Sequence, residues 1–361
     1  MAYEIRAWSE IQADFTDTLL LGNGASIAVH GGFKYQNLYD EAVKENVLGD
    51  AAAVFKAFGK EESDFELVLR RLWYTRQVNE ALMAPAESVQ MAVEAYTKVR
   101  SALIRIVQKT HVTYDAATPH FDPIARFVRR FRTVLSLNYD LVLYWALMYG
   151  QREDLIKFAD CFHYDRAHNL SLNPSFSEYR ANESTLCFYP HGNLALARST
   201  DDAEIKLAAG AGDKLLEKIV KAWESGTRSP LFVCEGTREH KQRAIFASTY
   251  LGQIYARAFS EIRSTVVIYG WSMGENDQHI VDQVLLQKPA AIAISVRAKS
   301  VATIKRAVDL FEGKVQRLEF FDAESPGAWN NSDGSKEREE EQEMKRLQEV
   351  LAKLKERRRS S

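Results

Sequence analysis

The sequence predicts an α/β fold, a parallel sheet with helices on both faces. Three observations carry that prediction. Short apolar runs recur along the chain, and longer stretches with helical spacing separate them. The first run, Leu19-Leu20-Leu21, passes into the small-residue turn Gly22-Asn23-Gly24-Ala25-Ser26 and then Ile27-Ala28-Val29, as a strand hands over to a helix. Two polar clusters, Asn138-Tyr139-Asp140 and Gly270-Trp271-Ser272, directly follow apolar runs, at the strand ends where such sheets bind ligands.

Taken in order, residues 15–29 hold the first strand, its turn and the start of a helix. From about Leu38 to Gln108, apolar residues stand three and four apart between charges, among them Phe65, Val68, Leu69, Leu72 and Trp73. Helices are expected there, broken at Pro85, with a second amphipathic run over 92–107. The whole forms a helical insertion at about 38–130. Residues 131–136 read as the second core strand. Asp140 is then placed to cap a helix carrying Leu141, Val142, Tyr144 and Trp145.

Residues 158–186 are aromatic, rich in Asn and Ser and weakly periodic, so mostly loop or short strands are expected. Residues 186–189 are a short strand leading into Pro190-His191-Gly192. Residues 213–224 are helical, 231–234 a strand, and 241–262 one long helix. Residues 264–270 are the clearest buried strand. A helix over 278–286, strands at 291–296 and 317–321, and a linker at 330–335 complete a unit spanning 1–330. Residues 336–359 are dense in Glu, Lys and Arg with an apolar stripe of Met344, Leu347, Val350, Leu351 and Leu354. That is a charged terminal helix, docked on its own core or offered to a partner.

Composition narrows the function classes. Lys plus Arg is 47 against 49 Asp plus Glu, a net charge of −2, which gives no electrostatic case for nucleic acid. The three cysteines, Cys161, Cys187 and Cys234, form no CxxC pair and no zinc-ribbon pattern, and a sparse, odd set fits a reducing compartment. No signal-peptide core and no bilayer-length apolar run stands in the sequence, so a cytoplasmic protein is expected. HExxH is absent and no metal is expected.

The polar residues at the strand ends are the candidates for chemistry. Gly22, Asn23, Gly24 and Ser26 allow close approach of a phosphate, or simply make a tight turn; the third glycine of the dinucleotide fingerprint is missing. Asn138 and Asp140 can face one crevice, or make a turn and a cap. His191, between proline and glycine, suits general base work or ribose binding, or is a structural loop residue. Ser272 is placed to bond a phosphate or ribose. Asp277 either joins it or caps the helix that follows. Gly-x-Ser-x-Gly is absent, against a serine hydrolase.

Read in order, the segments Gly22-Asn23-Gly24-Ala25-Ser26, Ser136-Leu137-Asn138-Tyr139-Asp140, His191-Gly192 and Gly270-Trp271-Ser272 resemble the motif series of the sirtuin-like family. The resemblance covers most of residues 15–325. It is closest to the bacterial sirtuin-like group of anti-phage defence, in an uncharacterised-domain branch. Asp64-Phe65-Glu66 and the run through Asp277-Gln278-His279-Ile280 look like that group rather than like deacylases. The resemblance implies a Rossmann-like, sirtuin-like fold with NAD+ as substrate. Gly22, Asn23, Gly24 and Ser26 would line the pyrophosphate, and Asn138 and Asp140 would hold the nicotinamide ribose and nicotinamide. His191 would be catalytic, with Ser272 on the adenosine side and Asp277 beside it.

Without the four-cysteine ribbon, the expected activity is NAD+ glycohydrolysis to nicotinamide and ADP-ribose. The expected setting is the effector of an abortive-infection system, held by a regulatory or sensor partner in a homo-oligomer or hetero-complex. A non-catalytic NAD or ADP-ribose sensor is the alternative. A zinc-independent deacylase or ADP-ribosyltransferase is a further one.

Overall fold

The computed structural model describes residues 3–34, 38–58, 63–164, 170–173, 175–208, 214–233, 237–297, 300–339, 341–342 and 344–345. Thirteen strands form among them, and the order along the chain is β1 (Ile5–Arg6), β2 (Thr18–Leu21), β3 (Thr133–Ser136), β4 (Phe158–Ala159), β5 (Phe162–Tyr164), β6 (Leu170–Leu172), β7 (Thr185–Phe188), β8 (Gly192–Ser199), β9 (Glu204–Lys206), β10 (Arg228–Phe232), β11 (Thr265–Tyr269), β12 (Ala291–Val296) and β13 (Arg317–Asp322).

Eight strands make one sheet in the order β1-β13-β12-β11-β2-β3-β7-β4. Every pairing in it is parallel. The fold is thus Rossmann-like α/β, as the sequence predicts. Its strands read as unbroken apolar runs because both faces are covered. Leu19, Leu21, Val134 and Val267 face one core, with the insertion helices, while Leu20, Leu135, Val266 and Ile268 face the other. The second core is closed by helices Thr249–Arg257, Gln278–Leu286 and Val301–Phe311.

Strand β2 is central. The chain leaves it outward through β3 and β7, then returns to β11 on its other side and proceeds to β12 and β13. The direction of travel therefore reverses between β2 and β11. At such a point the loops past the carboxyl ends diverge and leave a crevice.

Several elements differ from the sequence reading. Ile5–Arg6 adds an edge strand beside β13 that two residues could not announce. The strand expected at 231–234 is β10, shifted to Arg228–Phe232, and it lies outside the main sheet, in a separate antiparallel one, β10-β8-β9. The long helix expected over 241–262 is two helices, Arg238–Phe246 and Thr249–Arg257, because the Ser248 hydroxyl caps the second by accepting from the Leu251 amide at 3.0 Å. A helix, Phe176–Ala181, stands within the segment expected as loop and short strands. The Pro85 break is present: Phe65–Ala81 ends before it and Ala86–Thr110 begins after it.

The start of the segment expected as a linker, Asn330 and Asn331, is bonded to the core. Trp329 Nε1 donates to the Ala25 carbonyl at 2.8 Å and Asn330 Nδ2 to the Ala28 carbonyl at 3.0 Å. The charged run after them is tied to the insertion where Arg126 meets Glu339. Residues 346–361, with Leu347, Val350, Leu351 and Leu354 of the apolar stripe, lie outside the described residues, as do Cys234 and the start of the helix expected from 213. Among the described residues no helix is long and apolar enough to cross a membrane.

Candidate functional site

The loops after β2 and β11 meet backbone to backbone. The Gly22 amide donates to the Tyr269 carbonyl at 3.0 Å, and the Gly24 amide to the Gly270 carbonyl at 2.6 Å. A Cβ on Gly24 would stand 2.7 Å from Gly270 Cα, and one on Gly22 2.5 Å from Trp271 Cβ. Gly270 itself holds φ at +67°, and a Cβ there would stand 2.3 Å from the Ala25 nitrogen. The glycines that the sequence offers for phosphate approach thus serve first to seat one loop on the other.

Over this seam lies a cavity of about 1020 Å³. Gly22, Asn23, Gly24, Asn138, Asp140, His191, Ser272 and Asp277 all line it. Residues from four separate stretches of sequence are therefore brought together. Ser26 is the exception: it is buried behind the wall. Its hydroxyl donates to Asp140 Oδ2 at 2.5 Å and accepts from Asn138 Nδ2 at 2.9 Å. The other Asp140 oxygen accepts from the Val142 amide at 2.8 Å, at the start of helix Val142–Arg152. The N-cap is Leu141 rather than the expected Asp140, which instead bonds the first helical amide from one residue earlier, and both Asp140 oxygens are engaged. Asn23 likewise spends its side-chain amide on the Phe33 carbonyl, at 3.2 Å.

A second buried ring supports this wall. His111 Nε2 accepts from the Leu141 amide at 3.1 Å, and its Nδ1 lies 2.7 Å from the Val112 carbonyl. That pairing fixes the proton on Nδ1. Burial holds His111 below the usual histidine range.

The family model described as Domain of unknown function (DUF4917) matches residues 19–329. The chain belongs to this family. No curated protein matches it. The DUF4917 match takes in both glycine loops, the Asn138 loop, the His191 loop and Trp329.

The opposite wall of the DUF4917 cavity is built from His191, Lys241, Trp271 and Asp277. His191 sits in a tight turn whose next residue, Gly192, holds φ at +71° with the Leu231 carbonyl oxygen 2.3 Å from where a Cβ would be. The Val233 amide donates to the His191 carbonyl at 2.7 Å and fixes the turn against the small sheet. The His191 ring meets His279 from helix Gln278–Leu286, with Nε2 to Nε2 at 3.1 Å. Both rings are buried.

Beside them Lys241 Nζ lies 2.7 Å from Asp277 Oδ1, and Trp271 Nε1 donates to Asp277 Oδ2 at 3.1 Å. Asp277 stands at the N-cap of its helix but makes no side-chain cap bond, so the capping reading gives way to an ion pair.

Electrostatics follow from this packing. Burial, then the Lys241 ammonium, depresses His191 to about 3. Burial, against the pull of Asp277, brings His279 to about 4. Burial opposes ionisation of Asp277, but the Lys241 charge and the hydrogen bonds from Lys241 and Trp271 together outweigh it and hold the carboxylate at about 2. Near neutral pH the wall is a Lys–Asp ion pair beside two uncharged imidazoles.

Sequence reasoning missed Lys241, Ser295, Arg297, Asn330 and Asn331, all of which line the cavity, and named His279 only within a run. Ser295 and Arg297 had a usable signal, since they stand at the carboxyl end of the apolar run 291–296. Lys241 had none, being one charged residue in a helix of charged residues. Among the described residues no group of three or more His, Cys, Asp or Glu is placed to hold a metal.

Proposed function

We propose that this chain is an NAD+ glycohydrolase, cleaving NAD+ to nicotinamide and ADP-ribose. The observation that supports it is the convergence of Asn138, His191 and Ser272 on one cavity at the switch point of the sheet. These are the positions that the sirtuin-like motif series singles out. The cavity is of the size that takes a cofactor-like ligand.

In this reading the bond from ribose C1′ to the nicotinamide nitrogen breaks, and its electron pair leaves with nicotinamide. A water oxygen bonds to C1′, and its proton passes to His191, directly or through a ribose hydroxyl. An uncharged His191 suits that step, since an imidazolium could not accept the proton. Asn138 keeps its carbonyl oxygen for a ribose hydroxyl or the water while its amide is braced by Ser26. Asp140, with both oxygens engaged, acts by holding Asn138 and Ser26 in place. Arg297, Ser300 and Thr303 form a polar stretch of the wall suited to the adenosine side.

In the setting the resemblance suggests, loss of NAD+ harms the host cell, and a partner protein restrains the enzyme until infection. A second reading, a nucleotide sensor without turnover, draws support from the closed Ser26–Asp140–Asn138 network. Incubating the purified chain with NAD+ and separating products by chromatography tests both. Nicotinamide and ADP-ribose from the parent, lost in Asn138→Ala and His191→Ala, support the hydrolase. NAD+ binding without products supports the sensor. Label transfer to an acylated peptide or protein would favour a transferase or deacylase instead.

A further inference from the structure

His279 is fully buried, yet it presents its Nε2 to the His191 Nε2 at 3.1 Å. Two lone pairs cannot face each other at that distance, and two N–H groups would repel. One nitrogen therefore carries the proton and the other accepts it. His191 lines the cavity, whereas His279 is buried and does not. Of the two arrangements, the one with the proton on His191 Nε2 and His279 Nε2 as acceptor leaves the His191 Nδ1 lone pair free.

We propose that His279 is a positioning residue for His191. It accepts from His191 Nε2–H, fixes the ring by that bond, and leaves the Nδ1 lone pair as the one available to the cavity. This inference rests on reading His191 as the group that takes a substrate proton. His279 is itself held in place, since helix Gln278–Leu286 carries it and the Tyr255 hydroxyl donates to its carbonyl at 3.1 Å.

The charged groups facing the pair work in opposite directions. Lys241, from helix Arg238–Phe246, disfavours a positive charge on either ring, and Asp277 favours one. Arg238 adds to the effect of Lys241 on His279. Because Lys241 and Asp277 neutralise each other at 2.7 Å, burial decides, and both rings stay uncharged. The pair then behaves as a fixed donor and acceptor through the neutral range.

The test uses the full chain with ¹⁵N-labelled histidine, as parent, His279→Gln and His279→Ala. Two readouts are taken: the imidazole tautomers by long-range nitrogen–proton correlation, and the pH profile of NAD+ turnover. In the parent, the His191 proton is expected on Nε2 and unchanged from about pH 8 to pH 5, because burial removes the ordinary titration near 6.5. In His279→Ala a mixture of tautomers is expected. The rate should fall roughly 10- to 100-fold, as for other residues that orient a functional histidine, with KM nearly unchanged. His279→Gln, which can still accept a hydrogen bond, should recover part of both.

A parent His191 protonated on Nδ1, or an unaltered tautomer and pH profile in His279→Ala, would overturn the inference. So would one equivalent of bound zinc on the parent chain by native mass spectrometry, since both lone pairs would then point at the metal. The expected tautomers without NAD+ turnover would support the pairing and retire the hydrolase reading.

Discussion

The two walls of the cavity are both buried and polar, and they are built on opposite principles. On one wall, Ser26, Asn138 and Asp140 form a short closed network in which each bond joins a donor to an acceptor and both Asp140 oxygens are engaged. On the other, His191 and His279 share one proton beside the Lys241–Asp277 ion pair, and burial has moved the proton affinities of both rings. A satisfied network holds geometry, while buried groups with shifted proton affinity are candidates for function. The difference teaches that Asp140 and His191, both buried and polar on one cavity, need not do the same work.

Substitutions can break or sharpen that contrast. The seam beneath both walls should be the most sensitive place. Gly270→Ala puts a Cβ 2.3 Å from the Ala25 nitrogen at φ +67°. We expect a loss of about 3–5 kcal/mol or failure to fold, read by urea denaturation. Gly274→Ala, whose Cβ would meet only Ser272 Oγ at 4.0 Å, should cost under about 1 kcal/mol.

On the histidine wall, His191→Ala should lower kcat for NAD+ by about 100- to 10,000-fold, the range of a lost general base, while circular dichroism stays that of the parent. Equal loss of fold and of turnover would erase the distinction between the walls. On the closed wall the order should reverse. Asp140→Asn removes an acceptor from a buried network and should cost about 1–3 kcal/mol of stability, measured by denaturation, with turnover falling only through misplaced Asn138. An Asp140→Asn chain of parental stability but without turnover would assign Asp140 direct contact with substrate.

The last contrast is in pH. His191 and His279 bind protons less readily folded than unfolded, so the unfolded chain holds more protons below about pH 6.5. Stability should therefore fall as pH drops from about 6.5 toward 4, by up to roughly 1.4 kcal/mol per pH unit for each uncoupled ring. Asp277 has its folded-state affinity lowered by the Lys241 charge, so its stabilisation is present above about pH 4 and is lost only as pH falls through about 2. Thermal melts of the parent and a His191→Gln, His279→Gln double variant between pH 7 and 4.5 should diverge, the variant being the flatter.

The core sheet was legible because strands covered on both faces must be apolar throughout. The runs at 19–21, 264–270 and 291–296 therefore stood out, and so did the polar residues just past them. Strand β8 was not. Its sequence Gly-Asn-Leu-Ala-Leu-Ala-Arg-Ser holds no β-branched residue, and its partners β10 and β9 supply the pairing that local preference does not. The nine site residues read from motifs lie at strand or turn ends, and all but Ser26 reach the cavity. Lys241 and His279 sit inside helices, where their spacing resembles any amphipathic face. What gives them meaning is pairing across 36 and 88 residues of chain, to which no local pattern points.

Trp329 donates to the Ala25 carbonyl across 304 residues, and Asn330 reaches Ala28 just beyond. The glycine turn is thus clamped by a residue translated 304 positions after it. Closing so long a loop is slow relative to local folding. A growing chain on the ribosome can form the insertion helices early, but the cavity gains its final wall only after residue 330 has emerged. The clamped turn is therefore a property of the finished domain, and a nascent chain that stops short of Trp329 lacks the clamp.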